Sequence, residues 1–168
     1  KLMNKSNNKV SWVTGVRDEL TKKPPLGWVV LKDIAGRGVQ LCPNDCAYLT
    51  RNQSGNEHQL VGTHKIVFEF FRLNSGSLKL SARVSGIEGS PVYHEFYGIA
   101  RSLGCPLPEG KGKAVSSQSV AVWPPKESRH SCAANDHVGM AEWVRDFLSA
   151  PLSDFTFFVA ASRNLLAS

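Results

Sequence analysis

The sequence predicts an α+β fold that is mainly β: a twisted antiparallel sheet or open barrel with one C-terminal helix at about residues 136–150. Three observations support this prediction. Short runs rich in Val, Ile, Leu and Phe recur along the chain, separated by Gly, Pro, Asn and Ser. One segment near the C-terminus shows a strong i, i+3, i+4 apolar spacing. The intervals between the other runs are too short for the helices that a doubly wound α/β fold requires.

The predicted strands share apolar centres, mostly β-branched or aromatic, and boundaries rich in turn residues. They lie at residues 9–16, 26–33, 38–42, 46–51, 65–73, 78–85, 92–100, 119–123 and 154–161. Residues 17–23 are expected to form one or two helical turns that Pro24 and Pro25 end. The helix at 136–150 has Asn135 or Asp136 as its N-cap, and Pro151 stops it.

The chain has 168 residues, which is enough for one domain with a sizeable core. We expect a basic flexible arm at 1–9, a single β-rich domain at 10–162 containing a long basic loop at 101–135, and a tail at 163–168. No apolar run is long enough to span a bilayer. Because the sequence begins at Lys1 and not at Met, we expect a processed product or a domain cut from a larger precursor.

The charge balance favours anionic partners. Lys and Arg number 20 against 14 Asp and Glu, a net charge of +6. Nucleic acid is the commonest partner of such domains, and acidic membranes come next. The basic residues of the 101–135 loop could make sequence-independent phosphate contacts; they are Arg101, Lys111, Lys113, Lys126 and Arg129. The alternative is that they only keep the loop soluble.

The most informative stretch is a predicted hairpin with strands at 65–73 and 78–85 and the turn Asn-Ser-Gly-Ser at 74–77. If Ser75 and Gly76 are the central turn residues, Phe70 faces Ser81 and Phe68 faces Arg83. One side of the hairpin then becomes the core face, because seven of its eight residues are apolar. That side comprises Val67, Glu69, Phe71, Leu73, Leu78, Leu80, Ala82 and Val84.

The other side of the predicted hairpin is mixed and suggests a platform for single-stranded nucleic acid. Phe68 and Phe70 would stack on bases, while three cations would contact phosphates. Those cations are Arg72, Lys79 and Arg83. The alternative is that Ile66, Phe68 and Phe70 form a second core layer under the 136–150 helix, with the cations at its rim.

The cysteines and histidines offer weaker patterns. Cys42, Cys46, His58 and His64 come near the spacing of a two-Cys, two-His zinc site, although glycines interrupt the helix that a zinc finger needs. A second set with less orthodox spacing contains Cys105, His130, Cys132 and His137. The alternative is buried free thiols. The low cysteine content favours a reducing, intracellular compartment.

A cysteine nucleophile is a further hypothesis. Cys46 follows a turn, and His64 or His94 could act as its base. Cysteine hydrolases, however, usually place the thiol at a helix N-terminus, whereas residues 46–51 are predicted to form a strand. The glycine-rich segments match no nucleotide-binding fingerprint.

The sequence therefore predicts a basic, non-enzymatic binding domain without a cofactor, whose partner is RNA or single-stranded nucleic acid. Two alternatives remain. One is a structural or self-associating interaction domain, such as a shell, matrix or docking module. The other is a cysteine-dependent hydrolase or processing protease.

Overall fold

The computed structural model describes residues 7–31, 38–51, 58–62, 66–84, 91–108 and 119–166. Its helices are α1 (Asn7–Lys22), α2 (Pro91–Ser102), α3 (His137–Ser149) and α4 (Asp154–Leu166). Its strands are β1 (Trp28–Val30), β2 (Val39–Pro43), β3 (Ala47–Arg51), β4 (His58–Gly62), β5 (Ile66–Arg72), β6 (Leu78–Val84) and β7 (Ser119–Trp123). Two short 3-10 turns lie at Asn44–Cys46 and Lys126–Ser128.

Five of the strands form one antiparallel open sheet in the order β1-β2-β5-β6-β7. The remaining two, β3 and β4, pair with each other in a separate two-stranded sheet. The predicted α+β class and antiparallel sheet are therefore confirmed, but the description as mainly β with one helix is wrong.

The helices pack on one side of the five-stranded sheet, which we call the inner face. Apolar side chains from all four described helices join those of the sheet in one buried cluster. At its centre the Phe68 ring meets the ring of Trp28 edge-on, with centroids 5.2 Å apart, and that of Phe155 at 5.5 Å. The opposite side of the sheet is the outer face. None of the described helices is both long and apolar enough to cross a membrane.

Three segments predicted as strands are helical: residues 9–16 lie in α1, 92–100 in α2 and 154–161 in α4. The physical reason is helical spacing of their buried residues, which the high content of Val, Phe and Tyr concealed. In α1 the buried side chains are Trp12, Val13, Val16 and Leu20. In α4 they are Phe155, Phe158, Val159 and Ser162. Both sets form one stripe along a helix.

Most other elements follow the prediction. The strands at 38–42, 46–51, 65–73, 78–85 and 119–123 are present with boundaries shifted by at most one residue, and β1 is shorter than its predicted 26–33 range. Helix α3 confirms the predicted C-terminal helix, and the Asp136 carboxylate caps it by accepting from the Gly139 N–H at 3.0 Å. Residues 7–9 of the predicted arm begin α1, and 163–166 of the predicted tail continue α4. Residues 1–6 lie outside the described residues.

Candidate nucleic-acid interface

The turn between β5 and β6 fixes which side chains share a face. The Leu73 N–H donates to the Ser77 carbonyl at 2.9 Å, and the Gly76 N–H donates to the Leu73 carbonyl at 2.8 Å. The loop therefore has three residues, ending at Gly76, whose φ of 94° is in the left-handed region. Phe70 consequently faces Leu80, not Ser81. The hairpin is confirmed, but its predicted register is wrong by one residue.

With this register, the rings of Phe68 and Phe70, which were predicted to stack on bases, lie in the core. Phe68 is 1% exposed and Phe70 is 0% exposed, so neither ring can stack on a base. The rings of Trp12 and Trp143 pack against Phe70, from α1 and α3 respectively. The alternative that Phe68 and Phe70 form a core layer is confirmed, although Phe68 lies under α4 and not under α3.

Of the three cations predicted on the hairpin, Arg72 is separated from the other two. It has the same strand parity as Phe68 and Phe70, whereas Lys79 and Arg83 belong to the opposite face. Its Nε donates to the Cys132 carbonyl at 2.9 Å. Arg72 thus ties the end of the hairpin to the segment before α3, and its predicted place beside Lys79 and Arg83 is wrong.

The outer face of the hairpin carries a different aromatic residue. Phe71, which the sequence analysis placed in the core, is half-buried and lies directly opposite Lys79. The Lys79 Nζ is 5.3 Å from the centroid of the Phe71 ring, which is a cation–π contact. An aromatic ring and a cation therefore do share one surface, with Phe71 in the place predicted for Phe68 and Phe70.

A buried carboxylate organises the centre of the outer face. Glu69 is 2% exposed, and both of its oxygens have partners. Oε1 accepts from the Arg83 Nη1 at 3.1 Å, and Oε2 accepts from the Gln40 Nε2 at 2.9 Å. A buried carboxylate would be costly without such donors. Arg83 therefore forms an ion pair with Glu69 that joins the neighbouring strands β5 and β6. Its first role is structural, and not the phosphate contact that the sequence predicted.

A groove of about 540 Å³ runs along the β6–β7 side of the outer face. Three of its lining residues are cations and one, Glu127, is a carboxylate. The cations are Lys79, Lys126 and Arg129. The Arg129 Nε donates to the Pro124 carbonyl at 3.3 Å, and this hydrogen bond orients the guanidinium group. Such a set suits an anionic ligand because its positive groups outnumber its negative one.

The predicted loop contacts and metal sites are only partly covered by the structure. Lys111 and Lys113 lie outside the described residues, as do His64 and the side chains of Cys46 and His58. Cys42 is a buried thiol in a small apolar cluster with Leu31. Across the described part of the chain, no three His, Cys, Asp or Glu residues come together as metal ligands. The second set, which includes Cys105 and His130, is therefore not gathered into a site.

Two of the described thiols, Cys105 and Cys132, have a raised pKa. Burial, reinforced by the Asp154 carboxylate, raises the pKa of Cys105 to about 11. Burial, and next the Asp136 carboxylate, raises the pKa of Cys132, which Arg72 opposes. His94, the proposed base for Cys46, is exposed on α2. Neither Cys105 nor Cys132 is therefore an activated thiol, and the side chain of Cys46 lies outside the described residues.

No family model, curated protein or solved structure matches this chain.

Proposed function

We propose that this protein binds single-stranded nucleic acid, RNA foremost, on the outer face of its sheet. The observation that carries the proposal is the Lys79–Phe71 pair, with the Nζ 5.3 Å from the ring centroid, at the border of a groove that also contains Lys126 and Arg129. Single-strand binders combine an aromatic ring that stacks on bases with cations that follow the phosphates. Both components are present on this surface.

The division of roles follows from the contacts. A base stacks on the accessible side of Phe71, and the flexible Lys79 moves its ammonium from the ring to a neighbouring phosphate. Lys126 and Arg129 neutralise the following phosphates along the groove. Arg83 holds the surface in shape through Glu69. The net charge of +6 adds a long-range attraction for any polyanion.

The test is a fluorescence anisotropy titration with a labelled oligouridine of about ten nucleotides. Phe71→Leu removes the aromatic ring but keeps an apolar side chain, and we expect it to weaken binding about tenfold. Lys126→Gln should weaken binding by loss of one charge. Lys22→Gln is the matched control, because Lys22 is a 73% exposed lysine on α1. Equal affinities for the wild type and Phe71→Leu would refute the proposal.

One observation favours a second candidate function, which is self-association. Leu26 is 95% exposed and Leu152 is 83% exposed, so both side chains present apolar surface to solvent. Leu26 also borders a groove of about 490 Å³ beside β1. If two copies associate through this surface, sedimentation should show a concentration-dependent dimer that persists in high salt and is lost in Leu26→Gln. A monomer at all concentrations removes this candidate.

A further inference from the structure

The groove along β6 and β7 has a chemistry that distinguishes it from the rest of the outer face. Hydroxyl groups on its lining come from Ser81 and Ser119, which lie on neighbouring strands. Apolar lining comes from Leu73, Pro106, Leu107, Pro108, Val122 and Pro125. One ligand would thus meet cations, hydroxyls and apolar surface together. A nucleotide presents all three complements, namely phosphate, sugar hydroxyls and the flat face of a base.

The size of the groove supports a ligand larger than a phosphate ion. Its volume of about 540 Å³ lies within the range of roughly 300–1,000 Å³ that small-molecule pockets occupy. The proposed stacking ring lies next to the groove, because Lys79 both lines the groove and contacts Phe71. A strand with one base on Phe71 can therefore place its next nucleotide in the groove.

On the basis of the proposed function, we infer that the groove receives the terminal nucleotide of a strand and that Lys126 and Arg129 hold its terminal phosphate. A phosphomonoester carries a charge of about −1.5 to −2, compared with −1 for a phosphodiester. A set of three cations stabilises the more highly charged group more strongly. The carboxylate of Glu127 offers hydrogen-bond acceptors, so it suits a sugar hydroxyl of the same nucleotide.

The test compares four oligouridines of one length with the intact protein. They carry a 5′-phosphate, a 3′-phosphate, hydroxyls at both ends, or no ends because they are circular. We expect either the 5′-phosphorylated or the 3′-phosphorylated oligonucleotide to bind about tenfold more tightly than the hydroxyl-ended and circular ones. In Lys126→Gln and in Arg129→Gln this preference should be lost. In Phe71→Leu all four should weaken by the same factor, and Lys22→Gln should behave as the wild type does.

The outcomes separate the two proposals. Equal affinity for all four oligonucleotides, with binding still weakened by Phe71→Leu, overturns the terminal-nucleotide inference and leaves the proposed function in place. A terminal preference that survives Lys126→Gln and Arg129→Gln also overturns it. Failure of every oligonucleotide to bind overturns both. Thermal melting of each variant checks that the substitutions have not unfolded the protein.

Discussion

Phe68 and Phe71 lie three residues apart on β5 and have opposite environments. Phe68 is 1% exposed and meets the rings of Trp28, Phe155 and Phe158 edge-on. Phe71 is half-buried on the outer face, beneath Lys79. We expect the first ring to serve stability and the second to serve binding.

A pair of alanine variants tests this division. Phe68→Ala should lower the free energy of unfolding by about 3–5 kcal/mol, because it leaves a cavity among three aromatic rings. Phe71→Ala should lower it by only about 1 kcal/mol, since the site is open to water and can relax. Urea denaturation followed by tryptophan fluorescence measures both. Similar losses for the two variants would mean that Phe71 belongs to the core after all.

Cys105 makes stability depend on alkaline pH. Its pKa is 9.0 in the unfolded chain and is raised to about 11 in the fold, chiefly by burial and then by Asp154. Above pH 9 the unfolded thiol loses its proton first, which favours unfolding. The stability contribution is complete below pH 9 and should fall by about 2–3 kcal/mol as the pH rises to 11.

The measurement compares denaturation of the wild type and Cys105→Ala across this range. Their difference in unfolding free energy isolates the thiol, since the other titrating groups are shared by both proteins. Curves that remain parallel from about pH 8 to about pH 11 would contradict the assigned pKa shift.

The register of the hairpin could not be predicted from the pattern of apolar residues alone. The predicted and observed registers each give a face with seven apolar residues among eight, the exception being Glu69 in one and Arg72 in the other. Counting apolar residues therefore could not choose between them. The deciding feature was the turn, because glycine as the third residue of Asn74-Ser75-Gly76 is typical of a three-residue loop. That signal was present in the sequence, and it would have placed Phe71 on the outer face.

At the scale of elements, helix termini carried signals that composition obscured. α2 begins at Pro91, and proline is favoured in the first turn of a helix. At the start of α4, the Ser153 hydroxyl accepts from the Thr156 N–H at 3.1 Å, which is an N-cap contact. Both segments were predicted as strands from their aromatic content. These two residues were better evidence than the composition, because the Ser153 hydroxyl satisfies an N–H that the start of a helix leaves free, and Pro91 has no N–H to be left unsatisfied there.

The C-terminus of α1 depends on a residue from another helix. The Arg145 Nη2 of α3 donates to the Glu19 carbonyl at 2.7 Å, and its Nε donates to the Lys23 carbonyl at 2.8 Å. The Lys23 carbonyl lies just beyond the end of α1, and the Glu19 carbonyl also accepts from the Lys23 N–H at 3.3 Å. Arg145 therefore adds donors at this terminus, where its positive charge also complements the helix dipole. Arg145 thus fastens α1 to α3.

Replacing Arg145 should loosen this connection. Arg145→Met keeps much of the aliphatic stem and should cost about 1–2 kcal/mol of unfolding free energy, because the Lys23 carbonyl loses its guanidinium donor and the Glu19 carbonyl keeps only the Lys23 N–H. Arg145→Lys should recover only part of that loss, since one ammonium cannot reproduce the two directed bonds of a guanidinium. Thermal denaturation compares them, with Arg101→Met, an exposed arginine on α2, as the control. A full recovery in Arg145→Lys would show that charge alone matters.

At the scale of the whole molecule, the described helices cover one face of the sheet and leave the other face uncovered. The predicted surface with an aromatic ring and cations is therefore present on the hairpin, although Phe68 and Phe70 are not part of it. The described helices bury their apolar side chains on the inner face, so the polar and basic side chains of β5 and β6, except Arg72, are left to the outer face. The net charge follows directly from the sequence, but the positions of the charged side chains on the folded surface do not. Lys126 and Arg129 reach the groove through a segment after β7, and nothing in the order of residues indicates that they meet Lys79 there.

The salt dependence of binding tests this arrangement as a whole. For a single strand, the logarithm of the association constant falls with the logarithm of salt concentration by about 0.7 per phosphate neutralised. Engagement of Lys79, Lys126 and Arg129 therefore predicts a slope of about −2, and Lys126→Gln should reduce its magnitude by about 0.7. Phe71→Leu should lower the affinity without changing the slope, because stacking releases no counterions. An unchanged slope in Lys126→Gln would place the phosphates elsewhere on the protein, whereas association that is indifferent to salt would favour the apolar surface around Leu26.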